Sequence, residues 1–193
     1  MTLHVGVLAL QGDFAAHERS VAALGHRVRR VRTASPLDSV DALLLPGGES
    51  TTMLKFLREE GLLEPVADFC RSGRPVFGTC AGAILLASEV TSPAQESLGI
   101  LDMTVERNAY GRQSDSFITR VSDVAPAAAS LSGVEAVFIR APVIRRTGPG
   151  VDVLLRHEGH PILVRQGSVY AATFHPEMTD DTRVLALVLQ GAA

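Results

Sequence analysis

At 193 residues the chain has the length of one domain, and folding at that size buries roughly 70% of the unfolded surface around a single core. Hydrophobic residues make up 46% and charged residues 20%, which excludes a disordered, collagenous or coiled-coil protein. Eighteen basic against 21 acidic side chains leave a formal charge of −3, so the balance gives no electrostatic footprint for nucleic acid.

The first apolar run, residues 5–10, ends at Gln11-Gly12-Asp13. It has neither a cationic n-region before it nor a small-residue cleavage signal, so it reads as a strand rather than a signal peptide. No stretch approaches the 18 or so apolar residues of a membrane span. With two cysteines and no secretory context, a reducing cytoplasm is the expected setting. An amphipathic helix is predicted over residues 13–24, stopped by Gly25, then a charged strand over 28–31 and an apolar strand over 42–45. Pro46-Gly47-Gly48 punctuates the chain, and Ser50 or Thr51 is placed to cap a helix running to about Glu60. A short helix over 65–71, a strand over 75–77 and a helix from Ala81 to about Ser88 follow. Apolar strands separated by helices predict a mostly parallel open sheet covered by helices on both faces. Beyond residue 100 the pattern changes to strands and turns: 103–107, 117–121, 137–139, 153–156, 162–165 and 169–174, with a small-residue connection over 124–133. A terminal helix over 180–189 has acidic residues at its N-terminal end, where the dipole favours them. The expected architecture is a single three-layer α/β domain over residues 1–193, with antiparallel strands added in its second half.

Three segments carry candidate chemistry. Gly78-Thr79-Cys80-Ala81-Gly82 has the G-x-C-x-G form between a strand and a helix, the pattern of a nucleophile elbow with sulfur in place of hydroxyl. Such a turn lifts Cys80 above the sheet at a helix N-terminus, where thiolate is favoured and the Ala81 N–H faces a developing oxyanion. A structural cysteine beside a helix-packing glycine fits the pentapeptide as well. His175-Pro176-Glu177 supplies a base and its orienter, because residues two apart in extended chain share a side. A surface His-Pro turn is the plainer reading of that tripeptide taken alone. Leu45-Pro46-Gly47-Gly48-Glu49-Ser50 lies where a parallel strand ends, the edge at which open α/β sheets bind ligands, and two glycines let backbone N–H groups approach a small polar group. No Gly-Lys-Ser/Thr follows it, so it is not a phosphate-binding P-loop. The order of histidine before acid departs from the α/β-hydrolases, and the surroundings of Cys80 depart from papain-like proteases.

These segments, in this order, resemble the class I (triad-type) glutamine amidotransferases. Within them, residues 8–13, 45–53, 77–82, 105–113, Phe117, 138–142 and 174–177 are similar to one subfamily, the glutaminase subunits of pyridoxal 5′-phosphate synthase. The resemblance implies hydrolysis of L-glutamine to glutamate and ammonia, with Cys80 as nucleophile, His175 as general base and acid, and Glu177 as its orienter. It places oxyanion donors at Gly47 or Gly48 with Ala81, and glutamine binding at Gly48, Glu49, Ser50, Arg107, Ile139 and Arg140. Arg107 suits the substrate α-carboxylate, which guanidinium grips in a two-pronged fashion. The implied partner is a barrel-shaped synthase subunit that receives the ammonia and makes pyridoxal 5′-phosphate, so this chain is expected to need no cofactor and no metal. A Gly-Gly peptide can turn either its N–H or its C=O toward the nucleophile. Partner docking is expected to bias that choice, with Gln11 as a candidate regulatory relay.

Two other classes compete. A non-catalytic binding subunit shares the scaffold but has no use for an intact Cys80, His175 and Glu177. Protease-like relatives with a cysteine elbow place histidine directly after the nucleophile, where this chain has Ala81. Cys70 reads as a small core residue. His157 and His160 flank Glu158-Gly159 in a hairpin turn, without metal-site spacing. Arg27-Val28-Arg29-Arg30-Val31-Arg32 reads as a solvated strand face. For His17 the sequence leaves two readings open, surface or subunit interface.

Overall fold

Apolar runs too short for helices become strands, and the computed structural model, which describes residues 1–107, 109 and 116–192, arranges them around one long sheet. β1 (His4–Leu8) leads to α1 (Phe14–Ala23), β2 (Arg27–Val31) and β3 (Ala42–Leu45), then α2 (Ser50–Glu59) and α3 (Leu63–Arg71). β4 (Val76–Thr79) runs into α4 (Ala81–Leu86), followed by β5 (Ala87–Thr91), β6 (Leu101–Glu106), β7 (Phe117–Arg120) and β8 (Asp123–Val124). β9 (Glu135–Phe138), β10 (Val143–Thr147), β11 (Asp152–His157), β12 (His160–Gln166), β13 (Val169–Ala172) and α5 (Arg183–Leu189) complete the order.

The main sheet has eight strands in the order β2-β1-β3-β4-β13-β12-β11-β8. The strands from β2 to β13 run parallel, and β12, β11 and β8 continue the sheet antiparallel. β10, β6 and β5 form a second sheet, and β7 pairs with β9. Alternation along each strand divides the core. Leu43 and Leu45 pack with Met53, Leu57, Phe69 and Leu85 of α2, α3 and α4. Ala42 and Leu44 pack with Val21, Val184 and Val188 of α1 and α5. The sheet is therefore a middle layer with helices on both faces, as the sequence predicts. Because β2 and β3 lie on opposite sides of β1, a crevice opens beyond the C-terminal ends of β1 and β3, and the loops after these strands border it.

Several elements differ from expectation. The helix after Cys80 stops at Leu86 rather than Ser88, because Leu98 and Ile100 donate to the Leu85 and Leu86 carbonyls and free the chain to form β5. β10 carries no clean alternation, since a bulge between Ile144 and Arg146 breaks its register against β6. β13, late in the sequence, lies parallel beside β4 in the middle of the sheet. The α2 cap is Glu49 rather than Ser50 or Thr51: its carboxylate accepts the Thr51 and Thr52 N–H groups. The acidic residues near α5 precede its cap, Thr182, and Asp181 accepts the Arg183 N–H at 3.1 Å. Residues 124–133 are more than a loop, holding a 3₁₀ turn that buries Ala128 and Leu131. The basic run forms the edge strand β2 and the residue after it, with Arg30 paired to Glu18 and both Arg30 and Arg32 over the Phe14 ring.

Candidate active site

The elbow is built by close packing. A Cβ on Gly78 would lie 2.6 Å from the Gly82 carbonyl carbon, and one on Gly82 would lie 2.1 Å from the Leu45 carbonyl oxygen. With both glycines, β4 and α4 approach closely enough to force Cys80 to φ 49° and ψ −102°, a backbone region that only surrounding structure can hold. The Cys80 N–H donates to the Ala172 carbonyl at 2.8 Å, tying the elbow to β13. Ala81 is fully buried in the first turn of α4.

His175 follows β13 and is anchored where its N–H donates to the Val137 carbonyl of β9 at 2.8 Å. Its Nδ1 lies 2.8 Å from Glu177 Oε1. The shared side comes not from extended chain but from a 3₁₀ turn over Pro176–Met178, which folds the carboxylate back under the imidazole. Burial disfavours the charged imidazole, but hydrogen bonding to Cys80 and Glu177 outweighs it and holds the His175 pKa well above its ordinary value. That is the electrostatics of an imidazolium between a sulfur and a carboxylate. Burial likewise opposes ionisation of Glu177, yet His17 and His175 keep its carboxyl below the usual range.

His17 is neither on the surface nor free for an interface; it is 1% exposed. Its Nε2 lies 3.0 Å from Thr79 Oγ1 and 3.4 Å from Glu177 Oε1. Sequence reasoning missed both His17 and Thr79. The one available signal was His17 standing four residues before Val21 on the apolar face of α1.

Cys80 also lines a cavity of about 80 Å³, which brings together Gly48, Glu49, Ser50, Arg107, Ile139 and Arg140, with Ile84 as an addition. Arg107 Nη2 is 3.2 Å from Glu49 Oε1, and the Ser50 hydroxyl donates to Gln95 Oε1 at 2.8 Å. Arg140 is held at φ 44°. Residues 108 and 110–113 of the segment 105–113 lie outside the described residues. Gly47 lies against His175: a Cβ there would be 2.4 Å from His175 Cε1. The Gly47 carbonyl is directed at Gly12, and Gln11 Oε1 accepts the Glu49 N–H at 3.0 Å, so the β1–α1 loop touches the Gly-Gly turn directly. Cys70 is buried in α3. His157 faces His160 in the β11–β12 hairpin and packs on the Phe117 and Phe138 rings. Among the described residues no group of three or more His, Cys, Asp or Glu is placed to hold a metal ion.

A parallel sheet with a cysteine elbow, a histidine–glutamate pair after a neighbouring strand and a small polar cavity beside the sulfur defines a glutamine-amidotransferase type of site. Residues 7–192 match the model of the SNO glutamine amidotransferase family, and the chain belongs to that family. It is 54% identical over 192 residues to the pyridoxal 5′-phosphate synthase subunit PdxT of Solibacter usitatus, covering 96% of this chain and 97% of that one. It is 51% identical over 190 residues to the subunit of the same name from Koribacter versatilis, covering 97% and 95%. A crystal structure described as a glutamine amidotransferase superposes with a TM-score of 0.89 at 47% identity, covering 97% of this chain and 98% of that one.

Proposed function

We propose that the chain is the glutaminase subunit of a pyridoxal 5′-phosphate synthase and that Cys80, His175 and Glu177 hydrolyse L-glutamine. The Cys80 thiolate attacks the side-chain amide carbon, and the negative charge moves to the amide oxygen, met by N–H groups of Ala81 and of the Gly47–Gly48 turn. The His175 imidazolium gives its proton to the leaving nitrogen, the C–N bond breaks and ammonia departs. His175 then takes a proton from water, whose oxygen displaces sulfur from the γ-glutamyl thioester to give glutamate. Glu177 holds the His175 tautomer throughout. Arg107 pairs with the substrate α-carboxylate, and Gly48, Glu49, Ser50, Ile139 and Arg140 form the walls around it.

The observation that carries this reading is the meeting of the cysteine elbow, the His175–Glu177 pair and the small polar cavity at one sheet edge. The ammonia passes to a barrel-shaped synthase subunit, so cofactor chemistry belongs to the partner and this chain uses neither cofactor nor metal. The setting is cytoplasmic; among the described residues no helix is long and apolar enough to cross a membrane.

The test is covalent labelling with a diazoketone analogue of glutamine in the presence of the synthase partner, read by intact mass and peptide mapping. One adduct on Cys80, absent from Cys80→Ala and blocked by excess glutamine, is the expected result. Labelling at Cys70, or none, would contradict the assignment.

A further inference from the structure

We propose that His17, carried on α1, is a positioning residue for the reaction: through Thr79 and its own Nε2–H it fixes the one oxygen of Glu177 that orients His175. This inference rests on the triad reading above and extends it to a fourth and a fifth side chain.

The contacts determine the proton arrangement. Glu177 is ionised and can only accept, and its Oε1 lies 2.8 Å from His175 Nδ1, 3.4 Å from Thr79 Oγ1 and 3.4 Å from His17 Nε2. A lone pair on His17 Nε2 would face the carboxylate and repel it, so Nε2 carries a proton in either charge state of the ring. That proton is donated to Thr79 Oγ1 at 3.0 Å, which leaves the Thr79 hydroxyl proton directed at Glu177. The result is a directional chain, His17 to Thr79 to Glu177, that meets the His175 N–H on the same oxygen.

No protein group among the described residues donates to the other oxygen, Glu177 Oε2, although it is buried. The described protein donors therefore converge on Oε1, and they set the orientation of the carboxylate through that oxygen. The two anchoring side chains come from different elements. Thr79 ends β4 immediately before the nucleophile, and α1 packs against the 3₁₀ turn that carries Glu177. His17 is thus fixed to the same frame as both Cys80 and His175, and it is not among the residues that line the cavity beside Cys80. A group that acts only on the orientation of the base alters the rate of the chemical steps and leaves substrate binding alone.

The experiment is steady-state glutamate release by the complex with the synthase partner. The variants are His17→Ala, His17→Gln, Thr79→Val and Thr79→Ser, with folding checked by thermal melting. His17→Ala and Thr79→Val are expected to lower kcat about tenfold or more with the glutamine KM within about twofold. Thr79→Ser and His17→Gln, which keep a donor in place, recover most of the rate. In a Glu177→Gln background His17→Ala should add less than about twofold, because its effect passes through the carboxylate. If His17→Ala does not fold, His17→Gln and Thr79→Val carry the same comparison. The proposal is overturned if kcat stays within twofold in His17→Ala or Thr79→Val, or if the His17 effect multiplies undiminished in the Glu177→Gln background. Those outcomes leave the triad standing provided that His175→Asn is inactive; substantial activity in His175→Asn would instead remove the triad reading itself.

Discussion

At the scale of the residue, environment decides what identical side chains do. Cys70 and Cys80 are both buried, but burial in α3 pushes the Cys70 thiol up to about 12, whereas Cys80 stands at the elbow hydrogen-bonded to His175. Arg107 makes a comparable distinction among guanidiniums: its side chain is only 12% exposed and points into the cavity, aligned by Glu49. In the role proposed for it, replacement with alanine removes a charge-assisted contact to the substrate made equally in the ground and transition states. Arg107→Ala is therefore expected to raise the glutamine KM by about tenfold or more while kcat changes little, measured by glutamate release in the complex. The cysteine elbow and the His175–Glu177 pair were legible in the sequence because each is local: five residues make the one and three make the other. His17 was not legible, because its partner Thr79 lies 62 positions away and Glu177 further still, and only folding brings them together. Gly47 was legible as a flexible residue, but its packing was not. An added methyl would strike the His175 ring, so substitution there displaces the imidazole.

At the scale of the element, the sheet was readable and the caps were not. Strands β1, β3 and β4 are short, apolar and followed by glycine or helix signals, which the chain order makes plain. β5 and β10 were hidden, one because a helix hands over to it without punctuation, the other because a bulge breaks its alternation. Glu49 shows how a cap and a site coincide. Burial works against its charge, but hydrogen bonds from the Thr51 and Thr52 hydroxyls and N–H groups hold its carboxyl down to about 2, from an ordinary 4.5. A carboxyl whose pKa is depressed by folding stabilises the fold fully above its unfolded pKa, and that stability is lost as pH falls from about 4.5 toward 2. Its side chain is 48% exposed, so solvent screening keeps the electrostatic part small beside the cap itself, typically ~1 kcal/mol. Glu49→Gln is expected to lower the melting temperature modestly at neutral pH and to lose less stability than the wild type between pH 5 and pH 3. Thermal melts across that range check it; parallel curves for the two proteins would contradict the capping role.

At the scale of the whole molecule, the cavity beside Cys80 is walled by the segments that follow β3, β4, β6 and β9, and the β1–α1 loop touches the first of these. The Gly47 carbonyl rests on Gly12 and Gln11 Oε1 accepts the Glu49 N–H, so the β1–α1 loop and the Gly47–Gly48 turn are in direct contact. We propose that the partner, docking there, completes the oxyanion hole; one missing donor typically costs roughly 10²–10³-fold in kcat. The site and the partner dependence meet in one measurement: glutamate release at saturating glutamine by the wild type alone, the wild type with excess synthase subunit, and Cys80→Ala with the same excess. The account predicts about 10²–10³-fold stimulation of the wild type by the partner, and no release above the uncatalysed background from Cys80→Ala, although that variant still binds the partner. Full activity in the isolated wild type would contradict the switch, and more than a trace of glutamate from folded, partner-bound Cys80→Ala would contradict the chemistry assigned to the site.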